Sequence, residues 1–116
     1  ELSNAGHPSP FLISREGVHP IPSMTTPIGL FCQNDFPTTR FTLQPGETLV
    51  MYTDGLTEAA NASGEQYGEK RLAEMLRAHV GARPKEILAA CVEDVKAFKG
   101  ATAKSDDLTI LVLQRS

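Results

Sequence analysis

Cysteine is scarce in this chain: Cys32 and Cys91 are the only two among 116 residues. They show no CxxC spacing and have no histidine cluster beside them, which argues against a thiolate-based zinc site and against a disulfide framework. Cys91 falls on the apolar face of a predicted helix and reads as a small buried hydrophobe. A reducing, cytoplasmic setting suits such a pair. Long hydrophobic runs are absent too, since the longest apolar stretches are strand-sized, and this excludes a transmembrane helix. The first ten residues, ELSNAGHPSP, lack the basic and apolar regions of a secretion signal. Basic residues are outnumbered 14 to 11, giving a net charge of −3. Neither nucleic acid nor an anionic membrane is therefore the expected partner.

Catalytic signatures are also thin. The chain has no GxSxG elbow, and neither cysteine has a histidine placed to activate it. GLFCQNDF lacks phosphate-loop spacing. A calcium loop starting at Asp54 fails at its third position, Leu56, and at its sixth, Ala59, where an oxygen ligand and a glycine are required. His19 and His79 read as an edge residue and a helix-face residue, whereas His7 sits in a small-residue loop and is a candidate site residue.

What remains is ordinary globular material, 41% hydrophobic and 22% charged, enough for one core and too short for two. Residues 11–13 and 18–21 predict a hairpin around a Glu16-Gly17 turn, with Pro20 and Pro22 marking an edge. Next comes a turn-rich stretch that predicts a long loop, with Ile28, Leu30 and Phe31 pinning it to the core. Pro45 and Gly46 stand where a type II turn needs them, and residues 48–53 after them predict a central strand covered on both faces. Two amphipathic helices follow. One carries Leu72, Met75, Leu76, His79 and Val80 and stops at Gly81; the other carries Ile87, Leu88, Cys91, Val95 and Phe98, with Pro84 near its start and Gly100 after its end. Residues 108–113 are apolar on both parities and predict an interior strand. Strands, then helices, then a strand make an α+β layered fold.

The acidic residues carry the chemistry. Asp54 ends one predicted interior strand, and Asp106 and Asp107 precede another. An unpaired carboxylate at the end of an apolar strand needs compensation, from a basic side chain, backbone N–H groups or a metal ion. If the two strands are antiparallel neighbours, the aspartates converge at one sheet edge. A hard cation such as Mg²⁺ or Mn²⁺ would then suit them, with Gly55 letting the backbone turn close by. The alternative is an ordinary Asp-Gly turn and a solvated Asp-Asp turn.

Taken in order, NAGHPSPFLIS, PIGL, LQPGETLVMYTDGLTEAANASGEQYG and SDDLTILVLQ resemble the C-terminal half of the SpoIIE/RsbU-type serine/threonine phosphatases, the bacterial branch of the metal-dependent (type 2C) phosphatases. The resemblance covers nearly the whole chain and implies that residues 1–116 are the C-terminal part of a single phosphatase domain. It implies an αββα sandwich with two Mn²⁺ or Mg²⁺ ions, with Asp54 and Asp106 as ligands and Asp107 as a further candidate. Gly55 would stand beside the metal, and Asn4, Gly6 and His7 would border the active site. It implies a phosphoserine or phosphothreonine protein as substrate, typically an anti-sigma-factor antagonist. The family's upstream Gly-Asp-x-x-Asp and Asp-x-x-Gly-His-Gly segments do not occur here. The expectation is therefore a partial domain, which could pair its exposed strand edges in a homodimer. The rival from another class is a non-catalytic, phosphatase-like module that binds a signalling partner.

Overall fold

The computed structural model describes residues 1–23, 25–32, 35–101 and 107–116. Four strands form a single antiparallel sheet in the order β2-β1-β3-β4: β1 Phe11–Ser14, β2 Gly17–Pro20, β3 Thr48–Tyr52 and β4 Ile110–Gln114. Three helices lie between β3 and β4 in the chain: α1 Asp54–Thr57, α2 Gly68–Arg77 and α3 Pro84–Lys99. This is the α+β arrangement expected, with α2 packed across β1 and β2 and α3 along β4.

The β1–β2 hairpin forms one residue earlier than the sequence suggests. Ser14 pairs with Gly17, so Arg15 and Glu16 make the turn. The Pro45 and Gly46 turn forms as expected: Glu47 N–H donates to Gln44 O at 2.9 Å, and Gly46 takes φ +86, the left-handed value that a type II turn demands of its third residue. Directly after it, Gly46 N–H donates to Arg115 O at 2.7 Å and Arg115 N–H to Glu47 O at 3.1 Å. These bonds tie the base of β3 to the end of β4.

Strand alternation sorts the side chains onto two faces. Phe11, Ile13, Val18, Val50 and Tyr52 join Leu72, Ala73, Leu76, Ile87, Cys91 and Val95 in one buried cluster beneath the helices. The other face carries Leu12, Leu49, Met51, Leu111 and Leu113, with Leu49 in register between Leu12 and Leu113. Among the described residues nothing covers that face at β4, where Leu111 and Leu113 are 52% and 53% exposed. The expectation of an interior final strand is thus corrected. β4 lies at the sheet edge with one apolar face open, because the helices among the described residues pack on the other face.

The helices follow their apolar stripes, with differences at the ends. α2 stops at Arg77, short of Gly81, so Val80 lies beyond it and is exposed. α3 opens with Pro84, whose missing N–H costs nothing in a first turn. Its third residue, Glu86, accepts from Arg83 N–H at 2.8 Å and from the Arg83 guanidinium at 2.9 Å. Those contacts hold the Glu86 carboxyl below its ordinary range. Cys91 is fully buried, and burial pushes its thiol up to about 11; both cysteines are free.

The long loop departs most from expectation. Ile28, Leu30 and Phe31 are 75%, 66% and 67% exposed, so they do not pin the loop to the core. Backbone contacts hold it instead: Thr25 bridges Ala5, and Thr39 exchanges hydrogen bonds of 2.8 and 2.7 Å with Leu2. None of these three side chains joins the buried cluster beneath the helices.

Candidate metal centre

β3 and β4 are antiparallel neighbours, from Thr48 opposite Gln114 to Tyr52 opposite Ile110. The end of β3 therefore lies beside the start of β4, the geometry on which convergence of the aspartates depends. Thr53 extends the pairing past the last ladder residues. Its N–H donates to Thr109 O at 3.0 Å, its Oγ1 accepts from Thr109 N–H at 3.0 Å, and its hydroxyl reaches Asp107 O at 3.5 Å. Asp54 follows immediately. Asp107 stands across from it on the β4 side, and Asp106 lies outside the described residues.

Asp54 opens α1, a single turn where the sequence suggests only a loop. Its carbonyl accepts from Glu58 N–H at 2.8 Å and from the Thr57 hydroxyl at 3.3 Å. Leu56, fully buried, fastens the turn to the core. The carboxylates of Asp54 and Asp107 are both on the exposed surface. Asp54 thus keeps its hydration and needs no basic partner, contrary to the premise of a buried charge at the strand end.

The loop before β1 reaches the same end of the sheet, since Phe11 pairs with Val50 near the end of β3. Asn4 folds this loop: its Oδ1 accepts from His7 N–H at 2.8 Å and its Nδ2 donates to His7 O at 3.0 Å. The carbonyl of Asn4 accepts in turn from the hydroxyls of Thr25 and Ser23. Gly6 adopts φ +82, and a Cβ there would stand 2.5 Å from Pro27 Cγ. His7 is exposed, its Nδ1 3.1 Å from Pro8 O. Strand direction thus leads the loop of Asn4, Gly6 and His7 away from the same end of the sheet at which Asp54 follows β3 and Asp107 precedes β4.

Residues that the sequence reading missed frame this edge. Thr53 stitches the two strands, and Tyr52, buried beneath α2, has its phenol pushed well above the ordinary range by burial and by Glu69. The Tyr-Thr-Asp-Gly run signals both, for they are the two residues before the aspartate. A cavity of about 750 Å³ lies at the opposite end of the sheet among Arg15, Glu47 and Arg115, remote from these aspartates. No group of three or more His, Cys, Asp or Glu side chains that could hold a metal ion occurs among the described residues. The acidic edge fits a hard cation in donor chemistry but falls short in donor number.

Known proteins with this arrangement were found by sequence and by fold. Protein IcfG of Synechocystis sp. is 32% identical over 114 residues, which are 97% of this chain and 18% of that protein. The SiaA-PP2C domain of Pseudomonas aeruginosa superposes with a TM-score of 0.80 at 28% identity, covering 93% of this chain and 43% of that one. The RsbU and RsbW domains of Rv1364c from Mycobacterium tuberculosis superpose at 0.77 with 26% identity, covering 97% and 31%. The chain therefore spans less than half the length of each relative. Residues 1–116 match the family described as Stage II sporulation protein E (SpoIIE), and the chain belongs to that family of PP2C-type phosphatase domains.

Proposed function

We propose that this chain is the C-terminal part of a single phosphatase domain that removes phosphate from phosphoserine or phosphothreonine in a protein. The observation that carries the reading is the antiparallel pairing of β3 with β4, which puts the Asp54 end of one strand beside the Asp107 start of the other. Asp54, Asp107 and, by its sequence position, Asp106 would hold Mn²⁺ or Mg²⁺. When bound, such ions lower the pKa of a coordinated water and neutralise charge on the phosphoryl group. No protein nucleophile is then required. The chain's own contribution is to order the edge: Thr53 fixes the spacing of the two strands, Leu56 anchors the turn that carries Asp54, and Asn4 shapes the adjoining loop around His7 and Gly6.

Two features support a partial domain. The described residues gather too few donors for a complete hard-cation site, and the sheet presents the apolar face of Leu12, Leu49, Met51, Leu111 and Leu113 with nothing over it at β4. In an αββα sandwich a second sheet would lie there and bring further carboxylates. The substrate would be an anti-sigma-factor antagonist in a cytoplasmic signalling pathway. The two free thiols suit that compartment, and no helix among the described residues is long and apolar enough to cross a membrane. Should the isolated piece persist, pairing of its open strand edge would make it a homodimer.

The second reading is a binding module without catalysis, favoured by the shortage of metal donors. An assay separates the two. With Mn²⁺, the natural protein containing this chain should hydrolyse p-nitrophenyl phosphate and a phosphoserine protein, and residues 1–116 alone should give little turnover. A natural protein inactive on both substrates would favour the binding module. Strong turnover by the isolated piece would contradict the partial-domain reading.

A further inference from the structure

The segment that carries Asp54 is held at each end by a buried tyrosine. Upstream, Tyr52 stacks on Phe11 with ring centroids 6.0 Å apart, and its Oη donates to Glu69 Oε1 on α2 at 3.2 Å. Downstream, Tyr67 donates its N–H to Ala59 O at 2.8 Å and its Oη to Asp94 Oδ2 on α3. The Tyr67 ring meets Phe98 edge-on at 5.5 Å, and the Arg71 guanidinium lies 4.2 Å from the centre of that Phe98 ring. Between the tyrosines the chain closes on itself. Asn61 Oδ1 accepts from the N–H groups of Ser63 and Glu65, and Asn61 N–H donates to Glu65 O at 3.0 Å.

A buried phenol needs a partner for its hydroxyl, and one such bond would be ordinary core satisfaction. Here two phenols bracket one excursion of the chain, and each donates to a carboxylate on a different helix. Burial and Asp94 push the Tyr67 phenol far above its ordinary range, so it remains a donor wherever the protein is folded. Between the tyrosines Leu56 is buried in the core and Ala59 packs against it only partly buried. The two tyrosines add a hold at each end to these contacts and to the Thr53 pairing with Thr109.

We propose that Glu69 and Asp94 are positioning residues that act through Tyr52 and Tyr67 to clamp residues 52–67 onto the helical layer, presenting the Asp54 carboxylate to a divalent cation in a fixed place. The inference rests on the reading of Asp54 as a metal ligand. Partners that orient a ligand typically change metal affinity by roughly 10–100-fold when removed. A clamped segment also exchanges its amide protons slowly, which can be read without any metal.

The test uses the natural protein carrying Tyr52→Phe, Tyr67→Phe or both, which remove hydroxyls and keep the rings, together with Glu69→Ala and Glu69→Gln. Amide exchange is followed in the metal-free state, and Mn²⁺ affinity by calorimetry. The double variant should exchange residues 54–59 about tenfold faster while α3 keeps its protection, and should bind Mn²⁺ roughly 10–100-fold more weakly. Glu69→Gln, which retains an acceptor, should stay close to the unaltered protein, and Glu69→Ala should not. Unchanged exchange at 54–59 overturns the clamp, as does protection lost evenly through α2 and α3. Faster exchange with unaltered Mn²⁺ affinity overturns it too. If the unaltered protein binds no Mn²⁺, the phosphatase reading fails, while the exchange measurement still decides the clamp.

Discussion

Thr53 joins the two strands at the acidic edge with side chain as well as backbone, and so sets how far Asp54 stands from the β4 side. Gly6 plays a comparable part in the neighbouring loop. Its φ of +82 is unfavourable for any residue with a Cβ, and Pro27 occupies the space that a Cβ would need. Gly6→Ala should therefore destabilise the domain by about 1–3 kcal/mol in urea unfolding. A change within about 0.5 kcal/mol, as at an ordinary surface position, would show that the loop relaxes freely. Some of this scale was legible beforehand. Asp54 and the Asp-Asp pair stand out because charge next to an apolar strand breaks the pattern. The hydrogen bonds of Tyr52 and Tyr67 were not legible, because their partners Glu69 and Asp94 are surface-type residues whose meeting with a phenol depends on how the helices pack.

Elements with a period were readable, and elements without one were not. α2 and α3 carry apolar stripes at helical spacing, and the structure buries Leu72, Leu76, Ile87, Cys91 and Val95 while leaving Val80 and Leu88 exposed. α1 is four residues long, too short for any period to show. In β4, apolar residues on both parities report that both faces want burial; they do not report the strand's place in the sheet, which proves to be the edge. Ile28, Leu30 and Phe31 mislead in the same way, since an apolar loop residue says nothing about what surface lies within reach. The open face gives a test of the partial-domain reading. In the natural protein, Leu111→Ala and Leu113→Ala should each cost about 2–5 kcal/mol of stability, the range for truncating a covered leucine. Losses within about 0.5 kcal/mol would place both side chains in solvent there as well.

For the whole molecule, fold and family were legible because a few motifs in a fixed order identify the family. The donor set was less so, since a complete hard-cation site draws on more of the domain than these residues provide. The central claim is that carboxylates from the end of β3 and the start of β4 jointly hold a divalent cation. Manganese-dependent turnover of p-nitrophenyl phosphate by the natural protein, compared with its Asp54→Asn variant, tests this most directly. Loss of turnover beyond the roughly 10–100-fold typical of outer-shell changes, with an unaltered unfolding curve, is the result expected. Near-normal turnover by Asp54→Asn would contradict it.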